Sequence, residues 1–211
     1  MDDTGIVPFY ATYVQYPSGD VIGYFFAFCS LVPILLLCAM ACELLSRREI
    51  ETGILAAGQC VSLVLNYVLK RVIKQPRPHS DDYGMPSAHA QFFGYFSTYC
   101  ILWTYTNGAH FPPFKRRLYY TVCLLGLACV PASRVYLGYH TIPQTVVGVL
   151  VGAGWGYSWL QCSVFLRKIG FLDFLLHTQL FKFFYIKDTA LTRNFVAEEH
   201  REWLATTKKA Q

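Results

Sequence analysis

Apolar residues along this chain gather in long blocks, neither alternating as on a half-buried strand nor recurring every third or fourth position as on a surface helix. Short polar segments between the blocks carry most of the charge. An uncharged apolar block of about 18 residues or more can cross the hydrocarbon core of a bilayer as a helix. The first, 21–42, contains no charged residue, and a membrane helix tolerates its one proline, Pro33, as a kink. The second, 53–69, stops at Lys70-Arg71-Val72-Ile73-Lys74-Gln75-Pro76-Arg77-Pro78, where two prolines in three residues disfavour helix. The third, 88–106, follows Ser87, which has the residue type of an N-cap; the fourth, 119–132, is shorter. The fifth, 142–165, carries Gly148, Gly152, Gly154 and Gly156, small residues that let membrane helices approach closely. From Phe171 onward aromatics mix with Asp173, His177 and Lys182, which predicts an interfacial amphipathic helix and not a sixth span. The expected fold is an all-α, polytopic membrane helix bundle of about five transmembrane helices plus that C-terminal interfacial helix. It divides into a membrane-embedded domain, 1–186, and a polar tail, 187–211, expected to lack fixed structure.

Composition supports this reading and excludes others. Of 211 residues, 54% are hydrophobic and 15% charged, where a soluble domain carries about a quarter charged residues. Five spans of about 20 residues use nearly half the chain, so no separate soluble domain of ordinary size fits. The net charge of +5, 18 basic minus 13 acidic residues, lies mostly at helix ends, and no nucleic-acid partner is expected. Eight cysteines sit in or beside the apolar blocks without C-x-x-C spacing and read as small packing residues. No carboxylate cluster suits magnesium and no Cys/His spacing suits zinc, so neither metal nor other cofactor is expected. Asp2 and Asp3 stand where a cleavable signal has lysine or arginine, so the first block is expected to remain as an anchor.

Charge also orients the bundle. Arg47 and Arg48, Lys115 to Arg117, and Arg167 with Lys168 mark cytosolic segments, which puts the N-terminus on the far side and the C-terminus in the cytosol. Two loops on the far side break the rule: one holds Lys70, Arg71, Lys74 and Arg77, the other Arg134. Each runs into a helix opened by a histidine, His89 and His140. A bound anion accounts for both exceptions, since charge at membrane depth is costly and usually functional. Arginine's planar fork suits phosphate, and Ser87 with the N–H groups of Ala88 and His89 would stand at a helix N-terminus, which favours anions. Plainer readings exist for several residues. Arg71 and Lys74 suit snorkelling anchors. Thr141 and Gln144 form T-x-x-Q, a capping box that could occupy Gln144 entirely, and Ser87 could be only a cap. His79, His110, His177 and His200 fit surface positions.

Three segments share a longer pattern: Lys70, six residues, Arg77-Pro78; Pro86-Ser87-Ala88-His89; and Ser133-Arg134, five residues, His140, three residues, Gln144. In order and spacing this resembles the three-part signature of the type 2 phosphatidic acid phosphatase superfamily, over about 75 residues. Within it, 84–92 and 133–141 are most similar to the dolichyl diphosphatases of the endoplasmic reticulum. The resemblance implies hydrolysis of a polyprenyl diphosphate lipid, dolichyl diphosphate, to the monophosphate and phosphate, recycling the carrier for protein N-glycosylation. It implies that His140 is the nucleophile, forming a phosphohistidine, and that His89 protonates the leaving oxygen and then activates water. Lys70, Arg77, Ser87, Arg134 and the Ala88 backbone would hold the non-bridging oxygens. No metal is implied. The chain departs from the wider superfamily at two positions, with Ala88 in place of glycine and Gln144 in place of aspartate. An amide at 144 can still accept a hydrogen bond from His140 but adds no charge. The alternatives are a phosphatase for another lipid phosphate or shorter polyprenyl diphosphate, and a non-catalytic membrane protein that binds phosphorylated lipid. Finally, Lys208-Lys209 near the end resembles a dilysine retrieval signal, read by coat proteins on the cytosolic face, which agrees with a multi-pass protein of the endoplasmic reticulum membrane and a lumenal active site.

Overall fold

The computed structural model describes residues 14–78, 80–189 and 195–209. Five long helices form the bundle: α1 (Val21–Arg47), α2 (Ile50–Ile73), α3 (Ala88–Asn107), α4 (Pro113–Tyr136) and α5 (Ile142–Lys168). Their ends follow local chemistry. Asp20 caps α1 by accepting from Gly23 N at 2.9 Å, α4 opens on Pro113 at its first position, and Thr141 caps α5. α4 is longer than the predicted fourth span because Lys115, Arg116 and Arg117 continue the helix at its start.

Four of these helices, α1, α2, α4 and α5, are long and apolar enough to cross a membrane, and the chain is a multi-pass membrane protein. α3 matches the predicted third block, but its surroundings differ. It packs chiefly against α5 and then α4, and Ala90, Phe92, Phe93, Tyr95, Ser97 and Tyr99 are buried along it. Enclosure by protein explains its weaker apolar character: polar groups facing neighbours can be paired, whereas polar groups facing lipid cannot. Tyr95 OH donates to Leu55 O at 2.8 Å and Ser97 Oγ to Cys123 O at 3.0 Å. Conversely Leu35, Val64, Leu125 and Leu150 on the surrounding helices are exposed, as lipid-facing residues are.

Glycine spacing sets the α3–α5 contact. A Cβ at Gly148, Gly152 or Gly156 would stand 2.7 Å from Ser87 O, 2.1 Å from Gln91 O and 2.7 Å from Tyr95 O respectively. Three glycines four residues apart thus lay α5 directly on the backbone of α3. Gly154, grouped with them by sequence, lies off this stripe and has nothing within 4 Å of its Cβ position.

Three regions depart from the sequence reading. The loop after α2 holds a small antiparallel hairpin, β1 (Pro76–Arg77) and β2 (Ser80–Tyr83), pairing Pro76 with Tyr83 and Arg77 with Ser80. The expected single interfacial helix is two short ones, α6 (Phe171–His177) and α7 (Gln179–Phe183), broken at Thr178, whose side chain caps α7. At 7 and 5 residues each is far below the roughly 20 needed to span. Within the tail, α8 (Phe195–Lys209) is helical, with Glu198 in its first turn, where a helix dipole favours negative charge. Arg47 pairs with Glu199 at 2.6 Å. Asp2, Asp3 and His79 lie outside the described residues, as do Ala210 and Gln211, which follow the lysine pair.

The bundle has two polar ends. At one, Glu51 accepts from Tyr99 OH and from Arg167 Nη2, each at 2.5 Å, Arg167 also pairs with Asp188, and Lys187 is tied by backbone bonds to Arg48 and Ile50. At the other end α2 and α4 finish and α1, α3 and α5 begin.

Candidate active site

At that second end α4 gives way to α5 through a tight turn in which Gly138 takes a left-handed φ of 74°. The turn folds back so that His140 N donates to Arg134 O at 3.0 Å. His140 precedes the cap Thr141 and is 4% exposed. One helical turn on, Gln144 is fully buried, and its side-chain amide makes three contacts. Its Nε2 donates to Pro76 O at 2.8 Å, and its Oε1 accepts from His140 Nδ1 at 3.0 Å and from Thr141 N at 3.3 Å. Its backbone N–H reaches Thr141 Oγ1 at 3.4 Å. The capping box and the histidine bond therefore coexist on one side chain. Because Pro76 O can only accept, the amide orientation is fixed, and Oε1 can only accept from His140. Nδ1 carries the proton and Nε2 keeps its lone pair.

Burial pushes His140 down from the ordinary 6.5 to about 4; the Gln144 bond opposes this, while Arg134, Arg77 and Lys70 push further down. Three cations thus act on one neutral imidazole. Arg134 is 7% exposed and is pinned on two sides: its guanidinium carbon lies 4.0 Å from the centroid of Tyr139, and its Nη1 donates to Ser30 Oγ at 3.1 Å. Tyr139 OH in turn accepts from Gln15 N at 2.9 Å.

The second imidazole, His89, is the second residue of α3 and lies within electrostatic reach of His140. Its Nε2 is 3.2 Å from Ser30 O. A carbonyl only accepts, so Nε2 carries the proton and Nδ1 is the basic nitrogen. Ahead of it, Ser87 occupies the N-cap position of α3, yet its hydroxyl makes no cap bond. The Ser87 backbone N–H donates to Gln144 O at 3.0 Å. The loop before α3 is also held from α2: Asn66 Nδ2 donates to Pro86 O at 3.1 Å and Gln91 Oε1 at 2.8 Å, and Gln91 Nε2 reaches Ser62 O at 2.8 Å.

The four basic residues of the first far-side loop separate. Lys70, one turn beyond Asn66, and Arg77, on β1, belong to the group acting on His140. Arg71 stacks 3.4 Å over the ring of Tyr67 on its own helix, and Lys74 is the exposed, left-handed cap of α2. Ser87 Oγ, Arg77 Nε and Arg134 Nε are buried with no hydrogen-bond partner among the described residues. Buried polar groups left unpaired are costly and rare. Two cationic donors and a hydroxyl in that condition, beside a helix N-terminus, suit an anion with several acceptor oxygens.

Sequence reasoning brought together Lys70, Arg77, Ser87, Ala88, His89, Arg134, His140 and Gln144, which the fold gathers at one bundle end. It missed Ser30, Tyr139 and Asn66. Ser30 had a faint signal, a hydroxyl residue three before Pro33 inside a block without charge.

Comparison with known proteins bears on this arrangement. The PAP2 superfamily model matches residues 51–168, which contain every site residue named here except Ser30 and Gln15. The dolichyldiphosphatase of Saccharomyces cerevisiae is 35% identical, covering 87% of this chain and 82% of that protein. Dolichyldiphosphatase 1 of Homo sapiens is 32% identical, covering 97% of this chain and 91% of that protein. A crystal structure of a transmembrane PAP2-type phosphatidylglycerolphosphate phosphatase from Bacillus subtilis shares the fold, with TM-score 0.58 at 19% identity over 75% of this chain and 82% of that one.

Proposed function

This chain belongs to the PAP2 superfamily, and from that premise we propose that it is a dolichyl diphosphatase, removing the terminal phosphate of dolichyl diphosphate. The observation that carries the mechanism is the His140–Gln144 bond: with Nδ1–H donated to Oε1 at 3.0 Å, the nucleophilic lone pair is on Nε2. His140 Nε2 attacks the terminal phosphorus in line, and the bond from phosphorus to the bridging oxygen breaks, releasing dolichyl monophosphate. His89, whose Nε2 is occupied at Ser30 O, works through Nδ1: protonated there, it gives that proton to the bridging oxygen. The same nitrogen then takes a proton from water as the water oxygen attacks the phosphohistidine. The phosphorus–nitrogen bond breaks, phosphate leaves, and both imidazoles return to their starting states. Lys70, Arg77, Arg134, the Ser87 hydroxyl and the Ala88 N–H hold the non-bridging oxygens as charge moves from one side of phosphorus to the other.

The site end faces the lumen of the endoplasmic reticulum. Supporting this, Arg47, Arg48, Lys115, Arg116, Arg117, Arg167 and Lys168 lie at the opposite ends of their helices, where the positive-inside rule puts the cytosol. α8 then lies on the cytosolic side.

The test is phosphate release from dolichyl diphosphate by purified protein in nanodiscs, with acid-labile labelling of the protein by substrate carrying a radioactive terminal phosphate. Wild type releases phosphate and takes up label; His140→Ala does neither. Phosphate release with no difference between the two would overturn the mechanism. No release from dolichyl diphosphate, with release from phosphatidate, would overturn the substrate.

A further inference from the structure

Ser30 lies in α1, outside the stretch 51–168 that matches the superfamily, and yet two site residues lean on it. It is 1% exposed. Its carbonyl accepts from His89 and its hydroxyl from Arg134. We propose that Ser30 is a positioning residue of the hydrolysis, through which α1 fixes the pose of Arg134 and the tautomer of His89. This rests on the phosphatase reading above and extends it to a helix that the family match leaves out.

Ser133 Oγ donates its single proton to Val130 O at 2.7 Å. In its 3.1 Å contact with Ser30 Oγ, Ser133 is therefore the acceptor and Ser30 the donor. With its proton committed to Ser133, Ser30 Oγ offers a lone pair to Arg134 Nη1. The chain runs in one sense, Arg134 to Ser30 to Ser133 to Val130 O. It holds Nη1 while the buried Arg134 Nε stays without a partner among the described residues. The cation is fixed at one corner and at its face on Tyr139, which leaves the other donors for phosphate oxygens.

A carbonyl oxygen has two lone pairs, so Ser30 O can accept from the His89 ring of α3 while keeping its place in the α1 ladder. Any residue has a carbonyl, so the His89 bond does not require serine, whereas the pose of Arg134 depends on the hydroxyl. Packing gives serine no advantage over alanine at this position, because Ser133 keeps its own acceptor when the Ser30 hydroxyl is removed.

Ser30→Ala in the full chain is the test, read by steady-state kinetics on dolichyl diphosphate and by inhibition with orthovanadate, a phosphate-shaped anion. KM and the vanadate inhibition constant are expected to rise about tenfold, the loss of one hydrogen bond to a charged group, with kcat changed far less. In an Arg134→Ala background, Ser30→Ala should add nothing to the inhibition constant, because the two act in series. Independent, additive losses would mean that Ser30 serves packing alone and would overturn the proposal, as would an unchanged inhibition constant in Ser30→Ala beside an inactive His140→Ala. Should Ser30→Ala fail to purify folded, Ser30→Cys keeps the volume with a weaker acceptor and is read the same way. If wild type proves inactive on dolichyl diphosphate, the phosphatase reading fails, while vanadate affinity in wild type and Ser30→Ala still decides the role of Ser30.

Discussion

The backbone of Gly84 lies against the side-chain amide of Gln144, so close that a Cβ at residue 84 would stand 2.7 Å from Oε1 and 2.8 Å from Nε2. The amide has no room to yield, because Nε2 is held on Pro76 O and Oε1 on His140. Gly84→Ala should therefore displace the amide that orients His140, and its Cβ, 2.9 Å from Cγ of Arg77, would crowd that cation as well. We expect kcat to fall about 10²-fold, with a rise in KM from the crowding of Arg77. Steady-state kinetics on dolichyl diphosphate check this; an unchanged kcat would show that the amide can shift without loss.

Gln144 supplies geometry without charge. In the proposed mechanism a carboxylate there would stabilise the imidazolium-like charge on His140, and neutralising the analogous group in serine proteases costs about 10⁴ in rate. A lipid monophosphate needs that help more, since its leaving group is an alkoxide, whereas a diphosphate releases a stabilised monophosphate. Gln144→Asp should raise activity on lipid monophosphates relative to dolichyl diphosphate. The ratio of kcat/KM on a substrate pair measures it, and an equal or opposite change would remove the explanation.

His140 also gives stability a pH dependence. Its value in the folded chain, about 4, lies below the ordinary 6.5, so between those values the unfolded chain binds the extra proton. The contribution is fully present above about pH 6.5 and is lost as pH falls through about 4. Thermal unfolding in detergent between pH 7.5 and 4 should show a larger drop in Tm for wild type than for His140→Asn. Parallel curves would mean that the ring is solvated.

The glycines of α5 should sort by position. Gly152→Ala puts a Cβ 2.1 Å from Gln91 O, a backbone atom that cannot move aside without separating α3 from α5, and a loss of several kcal/mol is expected. Gly154→Ala meets nothing within 4 Å and replaces a poor helix former, which should be neutral or stabilise by up to about 1 kcal/mol. Thermal unfolding of the two variants in one detergent tests the contrast; equal effects would contradict the helix–helix packing described.

The polar ends show how far local rules reach. Lys70, Arg77, His89, Arg134 and His140 were legible because each sits at the edge of an apolar block, and basic residues against the charge rule stand out without coordinates. The separation of Arg71 from Lys70 was legible only as a possibility, since adjacent helix residues point in directions about 100° apart and only the packed bundle shows which direction meets the site. The hairpin between α2 and α3 was not legible: two prolines signalled the end of the helix, but Pro76 and Tyr83 pair through backbone groups that side-chain identity hardly encodes.

By itself the sequence determined which segments form the long helices, though not the full length of each, because helical hydrogen bonds close within four residues and a bilayer leaves an apolar segment no other way to satisfy its backbone. Only the tertiary structure decided that α3 is enclosed by its neighbours, that Gly152 and not Gly154 touches it, and that Ser30 joins Arg134 across 104 positions of chain. Such contacts depend on the rotation of each helix about its axis. That rotation is set by which small residues let two backbones meet and which buried donors find acceptors, conditions satisfied jointly by segments far apart in the chain.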